Sequence, residues 1–251
     1  STSAARALGR IGGNEATATL QKHLPTAANS LRAAIVDALL DCAEHLLADG
    51  NRAAALAIYP QFNNTKENEH VRVAAYVGLI KTAESERVLE LVLAGLTSND
   101  AAQQAAALRL AETVQDSKAT AAFTNLLIKA APPLQAALIR LSQQRGDVSA
   151  APAIVAQTQN SDANVRVAAI TALGKLGDAT SVTLLANAAT SADETEQKAA
   201  RVALTELRRG NVAETMIAQL PTASPGVQIE LVRALTARMD KASTPKLFEL
   251  A

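Results

Sequence analysis

The chain is nearly without aromatic side chains: no tryptophan, two tyrosines and three phenylalanines in 251 residues. A core built without them has to be filled by small aliphatic groups. A surface that stacks unpaired bases also has almost nothing to be made from. There is a single cysteine, Cys42, which excludes an internal disulfide. Neither sign of charge is in excess, with 24 Lys+Arg against 24 Asp+Glu. Proteins that grip a phosphate backbone need a basic surplus, and the sequence has neither a polybasic run nor an acidic tail. No apolar run approaches the roughly 20 residues that cross a bilayer. The compartment stays open between cytoplasmic and exported. One cysteine suits the cytosol, a helical array needs no disulfide staples outside it, and a chain that opens on Ser1 inside a helical pattern would not display a signal peptide.

What the sequence does contain is alanine, about a fifth of all residues, within a hydrophobic content of 49%. Alanine is the best helix former, whereas sheets favour β-branched and aromatic residues. The clearest segment is Val165-Arg166-Val167-Ala168-Ala169-Ile170-Thr171-Ala172-Leu173-Gly174-Lys175-Leu176-Gly177-Asp178. Related stretches are Ala4 to Gly12, Leu31 to Ile35 and His70 to Ala75. With Leu173 as the anchor, equivalents fall at Leu8, Leu39, Leu79, Leu110, Leu204 and Leu235, with one further copy at Leu141 or Ser142. The spacing is 31 residues, broken once by an insertion of nine before Leu79. A fixed period of this length is the signature of a stacked repeat.

Each repeat reads as helix, turn, helix. Val165, Ala168, Ala169, Ala172, Leu173 and Leu176 share one face of the first helix. Gly177-Asp178 ends it, the glycine suiting a left-handed residue and the aspartate capping the second helix. Val182, Leu185, Ala188 and Ala189 carry that second helix. Pro25, Pro132, Pro133, Pro221 and Pro225 fall at or near the intervening loops. Residues 31–62 form a longer, tetratricopeptide-like hairpin: Leu31 to Ala48, a break at Asp49-Gly50-Asn51, then Arg52 to Tyr59. The loop Asn63 to Glu69 after it is expected to be exposed.

This pattern resembles HEAT-like repeats of the phycobilisome-lyase type over nearly the whole chain. The resemblance implies an all-α solenoid of about eight hairpins forming a right-handed superhelix, with the second helices on the concave side. Residues 1–251 then read as a single array, cut within a repeat at one or both ends. Ala4, Ala7 and Leu8, and at the other end Leu247, Phe248 and Leu250, leave apolar stripes uncapped. The expectation is a polypeptide that continues past at least one end, and end-to-end contact between copies.

Catalytic chemistry is missing from the pattern. Deoxyhypusine hydroxylase, a HEAT-type enzyme, binds iron through His-Glu pairs; here the order is reversed, as Glu44-His45 and Glu69-His70, and His23 stands alone. Cys42 and His45 have a spacing that could share a metal. Cys42, however, lies on the apolar stripe of Ile35, Leu39 and Leu46, and we read it as a buried small side chain with His45 half exposed. No phosphate loop, dinucleotide loop or nucleophile elbow occurs. HEAT-like DNA glycosylases need a basic face with stacking aromatics, where this chain offers Thr, Asn, Gln and Ala. Arg32, Arg72 and Arg166 recur near the starts of first helices. They read as partners for carboxylates or carbonyls of a neighbouring repeat, or, alternatively, as an anion-binding ladder.

The expectation is therefore a non-catalytic protein-binding or scaffolding module without cofactor or metal, its partner a protein or peptide. An alternative is a spacer region of a larger bacterial, sugar-processing enzyme; bilin lyase activity rests on fold analogy alone. The predicted partner ridge runs along second helices. Val182, Leu185 and Ala189 turn inward, so Thr183 and Asn187 turn outward with Thr180 and Thr190. Ala213, Ile217 and Leu220 turn inward, which places Thr215 and Gln219 outward. The ridge continues through Gln157, Thr124, Ile128, Arg87 and Leu91. Leu91 and Ile128 either form an apolar docking spot or pack against adjacent second helices.

Overall fold

The computed structural model describes residues 1–238. Among these there are fifteen α-helices, five short 3-10 turns and no strand; the one β-type contact is an isolated bridge between Asp178 and Arg209. Leu247, Phe248 and Leu250 lie outside the described residues. The chain divides into two compact units, the second beginning at Ser117. Unit 1 holds α1 (Thr2–Ile11), α2 (Gly13–His23), α3 (Asn29–Ala48), α4 (Arg52–Leu56), α5 (Glu69–Thr82), α6 (Ser85–Leu96) and α7 (Ala101–Ala111). Unit 2 holds α8 (Ala119–Lys129), α9 (Pro132–Arg145), α10 (Ala151–Gln157), α11 (Ala163–Leu176), α12 (Val182–Ala188), α13 (Glu194–Glu206), α14 (Val212–Gln219) and α15 (Pro225–Arg238). Odd-numbered helices are the first helices of repeats and even-numbered ones the second. Each unit is an all-α solenoid of stacked hairpins.

First helices stack on first helices, α1 on α3 and α9 on α11 on α13. Small residues set how closely they approach. A Cβ on Gly9 would lie 2.9 Å from the Ala38 Cα, and one on Gly174 would lie 2.9 Å from the Ala203 Cα. The same glycine-on-alanine crossing thus recurs in both units, and alanine abundance is what permits it. All six residues assigned to the buried stripe of the Leu173 helix are buried.

The repeat register needs one correction, and one open position closes. At the fourth anchor the deeply buried residue is Ala111, while Leu110 is half buried. At the fifth, Ser142 and Gly146 take the places of Leu173 and Gly177, and Gly146 is left-handed at φ 70°. The third repeat therefore carries one extra residue, and 31-residue spacing resumes from Ala111. Gly177 itself is extended, at φ −72° and ψ 177°, not left-handed. Glycine suits that position for space: a Cβ there would come within 2.6 Å of the Leu173 carbonyl oxygen.

One position, seven residues before each anchor, stitches neighbouring elements. Gln104 Nε2 donates to the Leu96 carbonyl at 2.8 Å, Gln135 Nε2 to Leu127 at 3.1 Å, and Gln228 Nε2 to Leu220 at 2.8 Å. Arg72 and Arg166 hold the same place; Arg72 Nη1 donates to the Glu67 carbonyl at 2.7 Å and Arg166 Nη1 to Asn160 at 2.9 Å. The last carbonyls of a helix have no partner within it, so a side-chain donor there satisfies groups that would otherwise need water.

The loop Asn63 to Glu69 is mostly exposed, with one exception. Glu67 is buried, because it forms an ion pair with Arg32 while its carbonyl accepts from Arg72. Ahead of the loop, Gly50 turns the chain at φ 79° and Asn51 caps α4.

Candidate partner-binding face

Second helices expose a repeating set of side chains, and the buried set fixes which. Val92, Phe123, Ile154, Leu185 and Met216 recur every 31 residues and are all buried. Leu96, Leu127, Thr158, Ala189 and Leu220 come four residues later and are buried too. In unit 2 the exposed positions are then Ala121 and Asn125 on α8, Pro152 and Ala156 on α10, Thr183 and Asn187 on α12, and Glu214 and Ala218 on α14. Only Glu214 among these eight is charged. In unit 1 the matching positions on α6 are Glu90 and Ala94.

The structure separates the predicted ridge into two groups. Arg87, Ile128, Thr183 and Asn187 are exposed. Leu91, Thr124, Gln157, Thr215 and Gln219 are half buried, one position off the exposed line. In α14 the inward residues are Val212, Met216 and Leu220 rather than Ala213 and Ile217, which are half buried. Carrying Leu185 forward by one period reaches Met216, and that was the signal that could have found the exposed set. Alanine on both faces of these short helices makes the apolar stripe faint, so a shift of one residue is hard to see.

Two of the predicted residues do meet. Gln219 Nε2 donates to Thr183 Oγ1 at 2.8 Å, joining α14 to α12. Several hydroxyls and amides of this face are already committed to backbone: Thr124 to the Thr120 carbonyl at 3.0 Å, Thr215 to Asn211 at 2.9 Å, and Asn187 Nδ2 to Thr183 at 2.9 Å. Gln157 accepts from Asn160 at 2.9 Å. The polar groups of this face thus largely serve its own helices, and its exposed charges are few, among them Lys118, Lys129 and Glu214. Ile128 stands out on it at 63% exposed. Leu91 is half buried, and its carbonyl accepts from the Tyr76 hydroxyl at 3.1 Å.

The recurring arginines have the structural partners expected of them. Arg32 pairs with Glu67, Arg72 Nε with Asp100 at 2.7 Å, and Arg166 Nε with Glu196 at 2.7 Å. Arg201, which the sequence pattern did not single out, adds a bidentate pair with buried Glu230 at 2.7 and 2.8 Å. Each carboxylate belongs to the next repeat along the chain. The Arg72 guanidinium holds the Asp100 carboxyl below its ordinary range, and Arg201, helped by Arg233, does the same for Glu230. Anions from outside would have to displace these carboxylates.

Cys42 is fully buried, its thiol 3.8 Å from the Leu8 carbonyl oxygen, and burial pushes that thiol's pKa up. A raised pKa disfavours the thiolate that nucleophilic or metal chemistry needs. His45 is exposed at the edge of the same helix. Among the described residues no group of three or more His, Cys, Asp or Glu is placed to hold a metal. Nor is any helix there long and apolar enough to cross a membrane.

Stacked helical hairpins with inter-repeat ion pairs define a helical-repeat protein. Residues 120–205 match the family model for HEAT repeats, and that stretch is a HEAT-like repeat array. Residues 2–110 match the vitellogenin TPR domain. No curated protein matches the chain. Among solved structures, an engineered protein is 18% identical, with TM-score 0.44 over 73% of this chain and 96% of its own. The complex of CpcE and CpcF of phycocyanin lyase from Nostoc sp. PCC7120 is 16% identical, with TM-score 0.37 over 91% of this chain and 96% of that one.

Proposed function

We propose that the chain is a non-catalytic protein-binding or scaffolding module, and that a protein or peptide docks on the face exposed by α8, α10 and α12. The observation that carries this reading is Ile128, a large aliphatic side chain 63% exposed among the small groups Ala121, Asn125 and Ala156, with the exposed cations Lys118 and Lys129 at its rim. An apolar spot rimmed by polar residues is the ordinary chemistry of a protein contact. HEAT repeats are general protein-interaction modules, which supports the class of activity but not the partner's identity.

A photo-crosslinking amino acid placed singly at Ile128, Ala156 and Asn187 tests this in the source cell. The expected result is one adduct of common mass from all three positions. Control positions on first helices, Arg140 and Lys198, are equally exposed and should give none of that mass. Adducts confined to the control positions would move the interface to the first helices.

A further inference from the structure

Helix α8 departs from the other second helices at three exposed positions, Lys118, Ile128 and Lys129. Ile128 stands where the neighbouring repeats have Thr97, Gln159, Thr190 and Pro221. Lys129 stands where they have Ser98, Asn160, Ser191 and Thr222. Lys118 stands where the three later repeats have Ser149, Thr180 and Asn211, with Arg87 one repeat earlier. Packing holds the buried positions of a stacked array to one pattern, whereas exposed positions are free to carry recognition. Described repeats precede and follow α8 in the sequence, so its departures do not arise from an end of the array.

The two lysines differ in what they do for their own helix. Lys129 lies in the last turn, where a cation suits the helix dipole. Lys118 takes the cap position without a side-chain cap hydrogen bond, and a cation there opposes the dipole. Their surroundings carry little of the opposite sign. Helices α8, α10 and α12 contain no Asp or Glu, in a chain whose charges balance at 24 of each sign. The carboxylates in the adjoining turns are engaged at helix starts: Asp147 accepts from Thr120 and the Ser149 amide, Asp162 from the Asn164 and Val165 amides, and Asp178 from the Thr180 amide.

We propose that the occupant of this face is an acidic segment of another protein. An aliphatic or aromatic residue of the segment packs on Ile128, and an Asp or Glu beside it meets Lys129. A second acidic residue reaches Lys118, about 16 Å away along α8, which an extended chain covers in about five residues. The proposal rests on the docking face described above and adds the chemistry of what docks there. A lipid surface fits less well, because interfacial binding needs a broad apolar face with many cations, and Ile128 is ringed by Ala121, Asn125 and Ala156.

Panning a displayed random peptide library on the immobilised chain tests it. Enriched peptides should carry Asp or Glu within two residues of a large apolar side chain. For a synthetic peptide of that consensus, Ile128→Ser should weaken binding at least about tenfold. Lys118→Gln with Lys129→Gln should weaken it about 3- to 10-fold and flatten its salt dependence. Circular dichroism and thermal melts of both variants should match the unaltered chain, as expected for exposed sites. Ile128-dependent peptides without an acidic excess, or full binding by the double lysine variant, overturn the acidic partner and leave the docking face standing. Peptides indifferent to Ile128→Ser remove the docking face as well. A library that yields no enrichment overturns the proposal, and so does Ile128-dependent sedimentation with phosphatidylglycerol vesicles in place of peptide binding.

Discussion

In residues 1–116 both tyrosines and Phe62 are buried, and the hairpins depart from the 31-residue period by an insertion and an extra residue. From residue 117 onward the described repeats keep the period and bury only Phe123 among aromatics. The two units fill the same architecture by different means. In unit 1 the tyrosine rings sit where glycine leaves room: a Cβ on Gly78 would overlap the Tyr59 ring, and one on Gly95 the Tyr76 hydroxyl. In unit 2 the gap between first helices is closed by Gly174 on Ala203. Where the spacing between helices varies, large rings take up the difference; where the repeat is regular, alanine suffices. The two matched families divide in the same way, the vitellogenin TPR domain over 2–110 and HEAT repeats over 120–205.

The largest expected effect breaks unit 1 at its aromatic packing. Tyr59 is fully buried and its hydroxyl donates to Glu44 at 2.9 Å, with Lys81 on the other carboxylate oxygen at 2.8 Å. Tyr59→Ala should cost about 3–5 kcal/mol. Hydrogen exchange resolved by peptide should show the loss in residues 29–96, with residues 163–206 unchanged. Equal loss in both stretches would mean that the units are energetically one.

Titration should also separate them. Burial raises the Tyr76 pKa to about 12 from 10, and burial with Glu44 raises Tyr59 in the same direction. The unfolded chain then loses its phenolic protons first as pH rises. Stability from these buried phenols is complete below about 10 and is lost as pH climbs through about 12, on the order of 2–3 kcal/mol for Tyr76. Unit 2 has no tyrosine. Its carboxylate shifts act in acid, a range it shares with Asp100 of unit 1: Asp147, Asp178 and Glu230 have lowered pKa values, chiefly through hydrogen bonds from Thr120, Thr180 and Arg201. Stability from those groups is complete above the ordinary carboxylate range of 3.8 to 4.5 and is lost as pH falls below it through the depressed values. Exchange protection at pH 11 should fall first in residues 59–96. A uniform fall would remove the tyrosines as its cause.

Gly174→Ala tests the close crossing itself. The added methyl meets backbone rather than a flexible side chain, so overpacking should outweigh the gain in helix propensity, for a net cost of about 1–3 kcal/mol. Thermal melts of Gly174→Ala and of Lys175→Ala, an exposed neighbour on the same helix, make the comparison. An unchanged melting temperature for Gly174→Ala would show that the first helices can separate without penalty.

Much of this was legible in the sequence, unevenly. The first helices were readable because Leu173, Leu204 and Leu235 recur at a fixed interval with aliphatics at helical spacing. The inter-repeat role of Arg72 and Arg166 was readable from their place at helix starts. The one-residue slip at Leu110 was not readable, because leucine outweighs alanine in any hydrophobic count, while the fully buried residue there is Ala111. The partner ridge was half legible for a related reason: on second helices of seven to twelve residues, alanine and threonine serve equally well inside and outside. Its exposed members, Ile128, Thr183 and Asn187, were found. Asn125 and Ala156 needed the buried series through Phe123 and Ile154.

The smallest expected effect concerns how helices begin. In unit 2 the starts of α11 and α13 are capped by Asp162 and Asp193, each accepting from two backbone amides. In unit 1 the start of α3 has Ala28 at the cap position, with φ −66° and ψ 156° and no side-chain hydrogen bond. That backbone conformation already suits a capping residue. Ala28→Asp should therefore stabilise unit 1 by roughly 0.5–1 kcal/mol, combining the cap with the favourable placement of negative charge at a helix start. Asp162→Ala should cost unit 2 about 1 kcal/mol by the converse argument. Measured together by denaturant melts of the two single variants and the double, the changes should add, because the sites lie in different units and share no partner. A clear departure from additivity would show that capping in one unit is felt in the other. The contrast between an aromatic unit and an alanine unit would then describe composition and not energetic independence.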